Sequence, residues 1–337
     1  MRRHRVLVIG GGSIGERHVR CFGRTGRADV VLCEPRHDLR TRIEATYSLA
    51  GGCGSLDEAL RQPFDAAVIC SPAHLHVAMA RQLVARRIAT LVEKPLGVTL
   101  DGTAELVTEA AVTGTPMAVA YIYRCLPAIE AVRGLLASGE LGRIVEIVAV
   151  GGQHFPLYRP AYREIYYTRH ETGGGAIQDA LTHVVNAVEW LVGPVTGAFA
   201  DAAHRVLEGV DVEDTVHVVA RHGEVLGSYA LNQHQAPNES TITVLCERGA
   251  VRAEIHNARW LTCREPGAAW EVRETFAGAR DDVFVRQAAL FLDCVEGRGP
   301  PRCSLAEGLQ TLRVNRALLE SASTRRWVAL APGSDGA

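Results

Sequence analysis

Val6-Leu7-Val8-Ile9-Gly10-Gly11-Gly12-Ser13-Ile14-Gly15 is the stretch that decides the fold of this chain. Its apolar run reads as a short buried strand, its glycines as a tight turn, and the residues that follow as a helix. In a turn of this form Gly10 permits the bend, Gly12 lets a pyrophosphate approach the backbone, and Gly15 lets helix and strand pack closely. The amides opening the helix, at Ser13 and Ile14, add unpaired N–H donors and a partial positive charge. Glu34 ends the next strand-like run, at about the spacing where a carboxylate takes a ribose 2′-hydroxyl. That carboxylate would repel a 2′-phosphate and favours NAD. Arg36, two residues on, would favour NADP, so the balance leans to NAD without excluding the other.

Outward from this turn, residues 6–9, 30–33, 66–70, 90–92 and 117–121 form apolar runs separated by longer helical patterns. Such alternation implies βα units and a parallel sheet covered on both faces. Ser55, followed by Glu58, reads as a capping box opening a short helix through Leu60. Beyond Pro127 the texture changes to a helix ending near Gly139, a strand over 144–150, an aromatic and basic segment over 154–170, and a helix over 176–192. Residues 215–276 alternate apolar and polar positions in short runs, as antiparallel strands with one open face do. Helices return at 281–295 and 304–322, and the tail from Pro332 is expected to fray. The expected fold class is α/β: an N-terminal Rossmann domain over 1–122, then an α/β domain over 123–337 with a large open, mainly antiparallel sheet. The C-terminal helix has the option of packing back on the first domain.

Composition narrows the function. A chain of 337 residues exceeds the usual size of one core, and 47% of it is hydrophobic without any run long enough for a membrane helix. The N-terminus lacks the apolar region of a secretory signal, which places the chain in the cytoplasm. A net charge of −2 with scattered arginines argues against nucleic acid. Nine cysteines without a CxxC pair suggest neither a disulfide framework nor a closed zinc site. Cys33, Cys70 and Cys246 lie in apolar runs and read as small buried hydrophobes.

Four segments resemble, in order, the signature of the Gfo/Idh/MocA oxidoreductases. They are GGGSIGERH from Gly10, the run Cys70-Ser71-Pro72-Ala73-His74-Leu75-His76, Val92-Glu93-Lys94-Pro95-Leu96, and Gly173-Gly174-Gly175 followed by Asp179 and His183. The resemblance implies a cofactor site that adds Ser71, Pro72, His76, Glu93 and Lys94 to Gly10, Gly12, Ser13, Ile14, Gly15, Glu34 and Arg36. It also implies homodimers or homotetramers formed through the C-terminal sheet.

The reaction implied is hydride transfer between nicotinamide and a CH–OH or C=O group of a sugar, sugar derivative or cyclitol, which requires a base and a group that stabilises the oxygen. By this resemblance His183 is the general acid/base, Lys94 holds the reacting oxygen, and Asp179 positions substrate or histidine. Asp179 and His183 are four apart, so a helix would aim both into one cleft; an ordinary helix pair is the plainer reading. The glycines before them would let substrate approach closely. Tyr158, Arg163 and Tyr166 offer stacking faces and a cationic grip, unless their segment is a subunit contact instead. Arg124 matches an arginine lining the substrate cleft. His18 is expected to hold the glycine turn. His74 and His76 lack a third ligand nearby, so no metal is expected. Two rivals keep the same motifs: a glycoside hydrolase or epimerase that returns its hydride, and a catalytically silent dinucleotide-binding protein.

Overall fold

The computed structural model describes residues 3–330, so the expectation for the tail from Pro332 lies outside the described residues. The chain divides into two compact units, one made of residues up to Cys125 together with Gly278–Leu309, the other of Leu126–Ala277 and the chain from Gln310 onward.

The first unit runs β1 (His4–Ile9), α1 (Ser13–Arg24), β2 (Ala28–Cys33), α2 (His37–Thr46), β3 (Gly51–Cys53), α3 (Leu56–Ala59), β4 (Ala66–Ile69), α4 (His76–Val84), β5 (Ala89–Val92), α5 (Thr103–Thr113) and β6 (Met117–Val119). Its strands form a parallel sheet in the order β3-β2-β1-β4-β5-β6. The order reverses between β1 and β4, which opens the crevice where ligands of such sheets bind. Ser55 caps α3 by accepting the Glu58 N–H at 3.2 Å, while the Glu58 carboxylate reaches back to the Gly54 N–H rather than to Ser55.

The second unit contains α6 (Pro127–Ala137), β7 (Ile144–Gly152), α7 (Phe155–Tyr158), α8 (Thr182–Val192), β8 (Gly197–Ala203), β9 (Thr215–His222), β10 (Val225–Asn232), β11 (Glu239–Cys246), β12 (Gly249–Glu254), β13 (Arg259–Cys263) and β14 (Glu271–Thr275). Then α9 (Arg280–Val295) returns to the first unit, α10 (Leu305–Thr324) follows, and β15 (Val328–Ala329) completes the second sheet. That sheet has nine strands in the order β14-β13-β12-β11-β7-β10-β9-β8-β15, antiparallel except where β7 lies parallel to β10. Strand β9 shows the alternation that made it legible, with Val216, Val218 and Ala220 buried and Val219 54% exposed on the other face.

The first core joins Val6, Val8, Leu32, Val68 and Leu91 of the sheet to Val19 and Phe22 of α1 and to Ala288, Phe291 and Leu292 of α9. Phe22 and Phe291 meet edge to face at 6.4 Å, an arrangement aromatic rings favour. Strands β3, β8 and β15 are additions to the sequence reading, and the runs at 66–70 and 117–121 leave the sheet earlier than expected. Cys33 and Cys70 are buried as expected, whereas Cys246 is only half-buried. Among the described residues, no helix is long and apolar enough to cross a membrane, and no three metal-ligating side chains gather.

His222 is buried on β9, with Nδ1 2.7 Å from the Gly193 carbonyl and Nε2 2.7 Å from the Tyr229 hydroxyl. Burial holds the Tyr229 phenol protonated, so Tyr229 donates and His222 is neutral with its proton on Nδ1. Burial pushes the His222 pKa below its ordinary 6.5. The unfolded chain therefore binds a proton that the folded one resists, and stability is lost as pH falls through that ordinary value. Thermal unfolding from neutral pH to about pH 5 should give a shallower acid-side decline for His222→Gln than for the parent.

Candidate functional site

In the first unit the glycine turn has the geometry its sequence suggests. Gly10 has φ +98° and a side chain there would lie 2.9 Å from the Cys70 carbonyl, while one on Gly15 would lie 1.8 Å from the Gly10 carbonyl. Nothing lies within 4 Å of the corresponding position on Gly12, at the N-cap of α1. The turn is packed on the strand side and open on the side where the α1 amides emerge. Ser13 is exposed there and Ile14 packs partly into the core.

Glu34, just beyond β2, is buried and wired to this turn, one oxygen accepting the Gly11 N–H at 2.7 Å. Its other oxygen accepts the Arg36 N–H at 3.0 Å and the Arg36 Nε–H at 2.9 Å. Burial alone would raise the carboxyl pKa, but the donors from Arg36 and Gly11 outweigh it and hold the group below its ordinary range. Arg36, expected to compete for a phosphate, is thus held by the carboxylate that disfavours one.

The loop after β4 brings Ser71 to a half-buried position and leaves Pro72 and His74 exposed. His76 is fully enclosed, its ring nitrogens 2.9 Å from the carbonyl oxygens of Pro95 and Ser71. Burial lowers its pKa, against the pull of both carbonyls. Its ring, neutral with one N–H, donates to one of the two carbonyls, between the β4 loop and the turn after β5, whose Lys94–Pro95 bond is cis. Glu93 is buried; Oε1 lies 2.8 Å from Nε2 of His18, and Oε2 accepts the Lys94 N–H at 3.0 Å. His18 thus holds Glu93, not the glycine turn as expected from sequence. Lys94 is half-buried. Arg124 is 1% exposed and donates to Glu307 and, at 3.1 Å, to the Arg302 carbonyl. Both partners belong to the first unit.

In the second unit the helix expected over 176–192 opens as a π-helix, Ile177–Leu181, before continuing as α8. Such widened turns frequently mark functional positions. Asp179 lies on the π-turn, buried, and its Oδ1 accepts the Tyr166 hydroxyl at 2.6 Å. His183, half-buried, follows in the first turn of α8. Its neighbours pin that turn: Asn315 donates to Thr182 Oγ1 at 2.9 Å, and Asn186 donates to Thr311 Oγ1 at 2.9 Å. The glycines upstream admit the protein's own chain rather than a ligand, since a side chain on Gly174 would lie 2.1 Å from the Tyr167 carbonyl.

The aromatic segment divides. Phe155, Tyr162 and Tyr167 are buried in a small core with Leu207, Val210 and Val212, whereas Tyr158 is 47% and Tyr166 40% exposed. Arg163 donates to the Glu208 carbonyl at 2.8 Å and, with His154, His234 and Tyr162, borders a cavity of about 240 Å3. The sequence reading did not single out Glu213 or Asp214. Asp214, fully buried, accepts the N–H groups of Arg205, Val206 and Leu207. Burial would raise its pKa, but those donors bring it below the ordinary value. An acidic pair inside a Val-Glu-Asp-Thr run was the only available signal.

The sequence model of an oxidoreductase family with an NAD-binding Rossmann fold matches residues 4–121, and that of the Gfo/Idh/MocA C-terminal domain matches 129–252. The chain belongs to the Gfo/Idh/MocA oxidoreductases. An uncharacterized oxidoreductase of Synechocystis is 29% identical over 212 residues, 62% of this chain and 57% of that protein. The aligned stretch likewise spans only 58% and 60% of two further relatives. The D-apiose dehydrogenase of Paraburkholderia graminis is 25% identical over 98% of this chain and 90% of its own. A levoglucosan dehydrogenase in complex with NADH and levoglucosan superposes with a TM-score of 0.87 at 20% identity, covering 97% of this chain and 99% of that one, a likeness of fold. This Gfo/Idh/MocA chain therefore carries an NAD-binding Rossmann fold, and the wiring of Glu34 bears on cofactor choice. Glu34→Ala should weaken NADH about tenfold or more in a fluorescence titration, with a smaller loss for NADPH as Arg36 is released; equal losses would remove Glu34 from cofactor choice.

Proposed function

We propose that the protein is an NAD-dependent dehydrogenase or reductase acting on a CH–OH or C=O group of a sugar, sugar derivative or cyclitol in the cytoplasm. One observation carries this reading: the chain that holds the Glu34–glycine arrangement also holds Asp179 and His183 on consecutive turns of one helix, with Asp179 buried and bonded to Tyr166. A protein that only senses a dinucleotide has no use for the second set. The names of the relatives, a D-apiose and a levoglucosan dehydrogenase, support a polyol substrate.

The cofactor fits what the first unit offers, an open face at Gly12 beside the free amides of α1 and a carboxylate at the end of β2. Gly10, Gly12, Ser13, Ile14 and Gly15 would take the pyrophosphate and Glu34 the adenosine ribose, with Arg36 beside it. Ser71, Pro72, His76, Glu93 and Lys94 would border the remainder, His76 and Glu93 by shaping the backbone they are bonded to. When bound, NAD supplies a hydride acceptor. His183 takes the proton from the reacting hydroxyl, as a neutral imidazole nitrogen can. The Lys94 ammonium stabilises the oxygen as negative charge develops. Asp179, held by Tyr166, orients substrate or His183, and Tyr158, Tyr166 and Arg163 supply apolar faces and a cation for a sugar ring. We assign the cofactor to residues 1–122 and substrate and subunit contacts to 123–337. The open sheet face, with Val219, Leu226 and Val272 about half exposed, is the surface through which a homodimer or homotetramer forms.

The test is to assay purified protein for retained dinucleotide and then for NAD+ and NADP+ reduction against sugars, sugar acids and cyclitols. Net reduction with one class is the expected outcome; tightly retained NAD with turnover but no net reduction would replace it with a hydride-returning reaction. Lys94→Ala should lower kcat by about 10²–10⁴-fold with an unchanged unfolding midpoint, and near-parental turnover would remove the lysine from the mechanism.

A further inference from the structure

Glu213 stands immediately before the fully buried Asp214, on the approach to β9, and is itself 7% exposed. Every acceptor it owns is used on the segment that leads into the π-turn. Oε1 accepts the Ile177 N–H at 2.9 Å, at the first residue of that turn, and the Glu213 carbonyl accepts the Ala176 N–H at 2.9 Å. Oε2 lies 2.6 Å from Nε2 of His170, which precedes the turn on the other side of the glycines. Gly175, at φ +90°, completes the fit, because a side chain there would lie 2.5 Å from the Glu213 carboxylate. The carboxylate has claimed the space the glycine leaves.

The same anchor extends to Asp179. Gln178 donates to the carbonyls of His170 and Gly174 at 3.0 and 3.2 Å, and the Asp179 N–H reaches the Gly175 carbonyl at 2.9 Å. Thr172 Oγ1 donates to the Tyr166 carbonyl at 2.6 Å, and Tyr166 in turn donates its hydroxyl to Asp179. Backbone and side chain of Asp179 are thus both fixed by a loop that closes on Glu213 and His170.

We propose that Glu213, with His170, is a positioning residue that sets the π-turn and so the placement of Asp179 and His183 for reaction, an inference that rests on the function proposed for those two residues. A π-turn carries one residue more than a regular helical turn and is rare, so it persists where surrounding groups hold it. Glu213 supplies two acceptors at its first turn. It acts through Asp179 and touches neither substrate nor cofactor.

The experiment compares Glu213→Ala, Glu213→Gln and His170→Ala in the full-length protein. It reads kcat and KM with the best polyol, NADH affinity by fluorescence, and amide hydrogen exchange by mass spectrometry. Glu213→Ala should lower kcat about 10–100-fold, the scale of small misplacements, with NADH affinity unchanged and faster exchange confined to residues 176–183. Glu213→Gln, which keeps an acceptor for Ile177, should recover most of the loss. Should Glu213→Ala fail to fold, His170→Ala, whose side chain is 42% exposed, is read in its place and should show the same signature at smaller size. Parental exchange over 176–183 in a folded variant overturns the proposal, as does a loss of NADH affinity in step with kcat. A parental protein that turns over no polyol refutes the proposed function instead, and faster local exchange in the variants then still supports the anchoring role.

Discussion

The carbonyl oxygen of Gly10 occupies the space that a side chain at position 15 would need. Because residue 15 has none, α1 descends onto β1 with its open end directed over the strand's exit. Its length then carries His18 down to Glu93, at the end of the sheet's next-but-one strand. Glu93 in turn takes the N–H of Lys94. The glycine contact therefore sets two things at once, the donors at the head of α1 and the backbone of the lysine turn.

Burying those two carboxylates is tolerable because each finds donors. Glu34 uses both oxygens and Glu93 both of its own. An unsatisfied buried group costs about 1–3 kcal/mol, so a change at one member is felt by its partner. Glu34 illustrates this, since a change at its carboxylate would also release Arg36. In the second unit Glu213 and Asp214 divide a similar task, the first serving the turn before α8 and the second the loop over 205–207.

Much of the fold was legible because local pattern and burial agree. The central residues of β1, β2, β4 and β5 are almost all apolar, as strands covered on both faces must be, and β9 alternates because one of its faces is open. Strand β3, Gly51-Gly52-Cys53, has too few side chains to show any pattern, and the alanines of β8 blur its period. The glycine turn and Glu34 were found by spacing, and Lys94, Asp179 and His183 by resemblance to the family. What spacing misses is a bond between distant positions: His18 to Glu93, Arg124 to Glu307, Glu213 to Ile177. The glycines before Asp179 were correctly noticed and wrongly explained, because only the folded chain shows that its own carbonyl and carboxylate fill the room they leave.

Helix α9 belongs to the first core although it is made after nearly all of the second unit. Until residues 288–292 emerge, Phe22, Leu91 and Ala118 lack the side chains that cover them. Strand β7 waits in the same way, since both neighbours that flank it, β10 and β11, lie some eighty or more positions later. Each unit thus holds residues waiting on strands or helices made much later in the chain, and no single cut separates the two units whole.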